Sequence, residues 1–104
     1  MKEFGVLNQQ EVQSLLAELV DVYKSLIGEK LVEVVLYGSY ARGNEEEYSD
    51  VDVLALVDDT EENIRHYDTE LEDFNHDMIM KYGVLLSPII VNYSIFTKYR
   101  DVLP

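Results

Sequence analysis

Asp50 and Asp52 stand at positions i and i+2 of the run Ser49-Asp50-Val51-Asp52-Val53, whose continuation to Val57 has the composition of a buried β-strand. Asp is depleted in strands, so something must offset two of them at the head of this one. Alternate residues of a strand project to one face with Cα atoms roughly 6.6 Å apart, so both carboxylates can converge on one hard cation or bridge two. They read as a magnesium pair. Just upstream, Gly38-Ser39-Tyr40-Ala41-Arg42-Gly43 frames a turn with glycine. A strand that turns sharply into a helix N-terminus offers backbone N–H groups and the positive end of a dipole to an anion. There Gly38 permits close approach of a phosphate, and Ser39 can donate a hydroxyl hydrogen bond to it. Arg42, one helical turn on, reaches either a phosphate oxygen or a carboxylate that braces the turn. Such a turn alone is weak evidence, since glycine and serine mark many turns without ligands. The acids change the balance, because magnesium is held by one or two carboxylates together with the phosphates of its substrate.

Asp50 taken alone also reads as a turn or cap residue, and Asp52 as a polar lapse at a strand start; metal binding accounts for both together. The elements that must position them are legible. Asn8 and Glu11 form a capping box for a helix over Gln9 to Ile27, with Val12, Leu15, Leu16, Leu19, Tyr23, Leu26 and Ile27 at helical spacing and Gly28 as its left-handed stop. Leu31 to Tyr37 reads as a strand leading into a short helical segment near Ser39 to Arg42, and Val51 to Val57 as the second strand. Asp58, Asp59 and Thr60 make the turn and N-cap for a long helix to about Tyr82, with Ile64, Tyr67, Leu71, Phe74 and Met78 as its buried stripe. Val84 to Val91 reads as a third strand that Pro88 confines to an edge or an irregular position, and the remainder holds one short helix. This order implies an α+β fold: a small mixed β-sheet with helices packed mainly on one face, in a single domain over residues 1–104.

Composition narrows the chemistry further. The chain has 104 residues, 47% of them hydrophobic, enough for one core but not for a separate substrate domain. Twenty-one acids against 8 Lys and Arg give a formal charge of −13, which argues against unassisted binding of nucleic acid. The same field steers a basic protein partner, although solubility explains much of the charge equally well. Without Cys there is no disulfide, thiolate zinc site or thiol nucleophile. No apolar run approaches the roughly 18 residues of a membrane span, and Met1 to Gln10 shows no secretory signal, so a soluble cytoplasmic protein without membrane contact is expected. His66 and His76, ten residues apart on the long helix, read as surface or packing residues rather than zinc ligands. Of the tyrosines flanking the turn, Tyr37 and Tyr40, either ring could stack on a base, with core packing the expected role of Tyr37. Glu45, Glu46 and Glu47 read as a solvated loop, with docking of a basic partner as the alternative.

The run Gly38 to Gly43 with Ser49-Asp50-Val51-Asp52 resembles the signature of the polymerase-β-type nucleotidyltransferase superfamily, in which a Gly-Ser turn precedes an Asp-x-Asp strand. In length and in Gly-Ser-Tyr-Ala-Arg-Gly it is most similar to the minimal nucleotidyltransferases, the MNT antitoxins paired with HEPN-domain toxins. The resemblance runs from the first helix to Leu86-Ser87-Pro88-Ile89 and implies a nucleotidyltransferase fold, Ser39 on the nucleotide triphosphate, and Asp50 and Asp52 on Mg2+. It also implies ATP as the donor of AMP, a tyrosine of a HEPN ribonuclease toxin as acceptor, and a hetero-oligomer with that toxin. One departure concerns the third carboxylate that the superfamily usually supplies from the next core strand as general base. Here Gly83 to Ser87 offer no acid, and Gly83 stands at the expected position. Asp77 or another helix acid substitutes, or the partner supplies the base, or nucleotide is bound without efficient transfer. A second departure is the C-terminus, where similar proteins continue with another helix and strand. Three functions follow: an adenylylating antitoxin, a weakened nucleotidyltransferase-fold antitoxin that neutralises by binding, and transfer of a nucleotide to a small molecule.

Overall fold

The computed structural model describes residues 6–43 and 50–99, apart from the side chains of Ser39, Arg42 and Tyr99. Helix α1 (Gln9–Ile27) begins where the spacing predicts. The Asn8 side chain accepts from the Glu11 N–H at 2.8 Å while Glu11 Oε1 accepts from the Asn8 N–H at 3.1 Å, so two otherwise unpaired donors of the helix start are satisfied reciprocally. Its apolar stripe of Val12, Leu15, Leu19, Tyr23 and Ile27 is buried. Gly28 ends the helix at φ 71°, but its ψ of −139° leads into a 3-10 turn over Gly28–Lys30 instead of the left-handed helical stop expected there.

Strand β1 (Leu31–Tyr37) runs directly into the short helix α2 (Gly38–Arg42). After the interval 44–49, β2 (Val51–Val57) forms, and helix α3 (Glu61–Tyr82) follows, capped by Thr60 Oγ1 accepting from the Asn63 N–H at 3.1 Å. The chain then forms β3 (Leu86–Asn92) and α4 (Tyr93–Tyr99). The strand order is β1-β2-β3, with β1 antiparallel and β3 parallel to the central β2. A parallel pair requires a long crossover, which α3 supplies. The expected third strand starts two residues late, because Gly83 belongs to the end of α3 and Val84 and Leu85 are needed to leave it. Pro88 lies on β3, which pairs with β2 alone among the described strands, as a residue without an N–H requires.

The mixed sheet and its helices make an α+β fold. Along β2 the pattern is two-sided: Val51, Val53, Ala55 and Val57 are at most 1% exposed and pack with α1 and with Ile64, Leu71 and Met78 of α3. Full burial of each of these valines contributes about 1.5–3 kcal/mol. The residues between them turn to the other face, where Asp52 and Leu54 are half-buried. Among the described residues, helices therefore cover one face at the acidic end of β2 and leave the opposite one to Asp52.

Candidate active site

The first site residue is fixed by sterics. Gly38 sits at the junction of β1 and α2 with φ 76°, a region that disfavours any side chain, and a Cβ placed there would meet Asp52 Oδ2 at 2.1 Å. Only glycine lets the turn approach that carboxylate. Because β1 pairs Tyr37 with Asp52 and β3 pairs Ser87 with Asp52, the three form one row across the sheet. Directly paired residues project to the same side. The next row on this face, Val35, Leu54 and Ile89, is apolar and only partly covered, with Ile89 48% exposed.

Asp50 immediately precedes β2 and is half-buried. It shares the parity of Asp52, and its Oδ2 accepts a 2.8 Å hydrogen bond from Ser87 Oγ. The two acids therefore meet at the row where β1, β2 and β3 come together. Ser39 and Arg42 are placed by their backbones in α2, whose first turn carries no acid; their side chains, like Ser49 and Glu45 to Glu47, lie outside what is described. A cavity of about 450 Å³ lies elsewhere, under α2 and against α1, lined by Gln9, Val12, Gln13, Leu36, Tyr40 and Ala41. Leu36 pairs with Val53, which places the cavity on the core side of the sheet, away from the carboxylates.

Three sequence expectations change. Gly83 is not a strand position at all: it caps α3 in the left-handed conformation, φ 65° and ψ 40°, and donates to the Ile79 carbonyl. The strand residue opposite Asp52 is Ser87, so a hydroxyl occupies the third place in the row. Asp77 does not substitute for an acid there, because it is exposed on α3, which packs on the valine face of β2. The core role expected of Tyr37 falls to Tyr40. Tyr40 is the core residue, 8% exposed, with its hydroxyl accepting from the Leu7 N–H at 3.1 Å. Tyr37 lies beside Asp52, and burial, then the Asp52 charge, push its phenol up, so it keeps its proton. Ser87 was the residue that pattern reading passed over, although a hydroxyl interrupting Leu85, Leu86 and Ile89 was a visible signal. His66 and His76 are both exposed on α3.

Among the described residues no cluster of three or more His, Cys, Asp or Glu could enclose an ion. Two carboxylates at a glycine turn instead suit a hard cation that takes its remaining ligands from water and phosphate. Geometry and donor set thus fit magnesium better than a closed zinc site. No helix among the described residues is long and apolar enough to cross a membrane.

The chain is similar to three Methanocaldococcus jannaschii proteins named as candidate protein adenylyltransferases. One is 33% identical over 85 residues, which is 82% of this chain and 58% of that protein. The second is 35% identical over 91 residues, 88% of this chain and 90% of its relative. The third is 30% identical over 97 residues, with the same two coverages. The chain therefore spans under two thirds of the first relative's length. No solved structure gives a significant match. A family model for the nucleotidyltransferase domain matches residues 12–103, nearly the whole chain. With the Gly38 turn and the Asp50/Asp52 pair inside that match, the chain belongs to the nucleotidyltransferase domain family, within the polymerase-β-type superfamily.

Proposed function

We propose that this protein transfers AMP from Mg–ATP to a tyrosine hydroxyl of a protein partner, and that the partner is a HEPN ribonuclease toxin which the modification silences. The observation that carries the transfer reading is the Asp52 carboxylate against the Gly38 turn, where a Cβ would come within 2.1 Å of its oxygen. The protein-adenylyltransferase names of the archaeal relatives support the acceptor class. The antitoxin role rests on the resemblance of Gly38 to Gly43 and Ser49 to Asp52 to the MNT family, and the charge of −13 suits a basic partner.

In this reading Asp50 and Asp52 hold the ion, the α2 backbone meets the triphosphate, and the motif assigns Ser39 and Arg42 to the same phosphates. A divalent ion held by these two carboxylates would supply charge neutralisation to the phosphate oxygens. The acceptor oxygen bonds to the α-phosphorus, the bond to the bridging oxygen breaks, and pyrophosphate departs. The phenolic proton passes to a base that this row of the sheet does not provide, since its third member is Ser87. Partner or solvent takes it. The same observation favours a second reading, in which the protein neutralises its toxin by binding alone.

The deciding experiment is label transfer from α-phosphate-labelled ATP with magnesium, on this protein co-purified with its partner. Label on the partner that Asp52→Ala abolishes is the expected result. Unchanged transfer in Asp52→Ala would sink the assignment, whereas a stable complex with no label in the wild type would establish the binding reading.

A further inference from the structure

We propose that Ser87 is the positioning residue of the Asp50/Asp52 pair: its hydroxyl ties one oxygen of Asp50 and so aims the other at the ion. This inference rests on the metal-site reading above and concerns how a two-carboxylate site works without a third acid.

The two aspartates are held very differently. Asp52 lies inside β2, paired on both sides, with Tyr37 and Ser87 as neighbours. Asp50 lies before the strand, and the first ladder contact at this end is the Val51 N–H donating to the Leu85 carbonyl at 2.8 Å. An Asp side chain outside a ladder has several staggered χ1 wells available. Freezing one of them needs a partner, and among the described residues the donor to Asp50 is Ser87, at 2.8 Å.

Ser87 is itself firmly placed. Leu86 before it is 8% exposed in the core, and Pro88 after it has a fixed φ. A serine hydroxyl has one proton to donate, and here it goes to Asp50 Oδ2. Among the described residues no other donor reaches Asp50, whose second oxygen is thus left for the ion in this proposal. A hydroxyl also adds no charge. A third carboxylate in this row would raise mutual repulsion in the free site, whereas Ser87 orients a ligand and leaves only two like charges together. Removing a hydrogen-bond partner of a metal ligand typically weakens metal binding 10–100-fold.

The test is Mn2+ binding by the full chain, followed by electron paramagnetic resonance with a non-hydrolysable ATP analogue present, in wild type, Ser87→Ala, Ser87→Thr and Asp52→Ala. Thermal unfolding is measured in parallel, and binding is read well below every midpoint. We expect Ser87→Ala to weaken the Asp52-dependent site about 10–100-fold and Ser87→Thr, which keeps the hydroxyl, to restore it. If Asp52→Ala removes the site but Ser87→Ala leaves the affinity unchanged, Ser87 has no positioning role. Equal weakening in the Ala and Thr variants would likewise overturn it, in favour of a packing role. If the wild type shows no saturable site that Asp52→Ala removes, the metal-site reading fails, and this inference with it.

Discussion

The two ends of β2 both carry aspartates, and they are treated in opposite ways. At the exit, Asp59 is saturated by the chain itself: its carboxylate accepts from the Thr60 N–H at 2.7 Å, Asn63 Nδ2 at 2.8 Å and Tyr67 Oη at 2.6 Å. These bonds, led by that from Tyr67, hold its carboxyl below the usual range. At the entrance, Asp50 receives one hydroxyl and Asp52 receives no hydrogen bond from the described residues. Among the described residues these entrance carboxylates are short of donors, a need that solvent or a ligand can meet. The same residue type is saturated beside the Thr60 cap at one end and forms a candidate site at the other, and the number of donors that the described residues aim at it tells them apart.

The sharpest way to break that comparison is Asp52→Ala. Loss of a direct ligand should exceed the effect of losing a ligand's partner, so transfer falls by more than about a hundredfold. Thermal stability should hold or rise, because the variant removes an acid from a strand. A large loss of stability would mean that Asp52 is structural after all. Next comes Gly38→Ala. Its positive φ alone disfavours alanine by about 1–2 kcal/mol, and the Cβ would strike Asp52. Transfer and melting temperature should both fall, by about 4–8 °C per kcal/mol for a domain of this size; retention of both would show that the approach of turn to carboxylate is dispensable.

Asp59 should show the reverse profile. A lowered folded pKa contributes stability that is complete above the unfolded value, near pH 4, and is lost as pH falls through the folded value. Asp59→Asn should therefore melt lower than wild type at pH 7, converge with it on acidification, and leave transfer intact. Glu18, lowered by its hydrogen bonds from Lys81 and then Tyr82, leaves a residual acid sensitivity of the same sign. The smallest effect is predicted for the exposed Asp58. Asp58→Ala should change stability by no more than about 0.5 kcal/mol and transfer not at all, as measured by chemical denaturation and the label assay.

The sequence was informative where the physics is local. The capping boundary at Asn8, the stripe of α3 and the i, i+2 spacing of Asp50 and Asp52 all depend on neighbours within a few residues. It was silent where a partner lies far along the chain. That Ser87 rather than Gly83 completes the row follows from parallel register across a 22-residue helix, and no short pattern encodes it. That Tyr40 rather than Tyr37 is the core residue has a related cause. Leu-Val-Glu-Val-Val-Leu-Tyr lacks the alternation of type that would reveal which parity of β1 faces the core.

The parallel pairing of β2 with β3 also governs when competence appears during folding. Ser87 meets Asp50 across 37 residues, and β3 is the last of the described strands to be synthesised. A slip of β3 by one residue would swing Ser87 to the valine side and bring Pro88 into the row, where it offers no hydroxyl. Closure of long-range parallel pairs is slow, so the hairpin of β1 and β2 can form while Asp50 still lacks its anchor. If Ser87 orients the pair as proposed, registration of β3 completes the site, and a chain arrested before it would hold both aspartates without the oriented pair, so that ion affinity would report this step of folding.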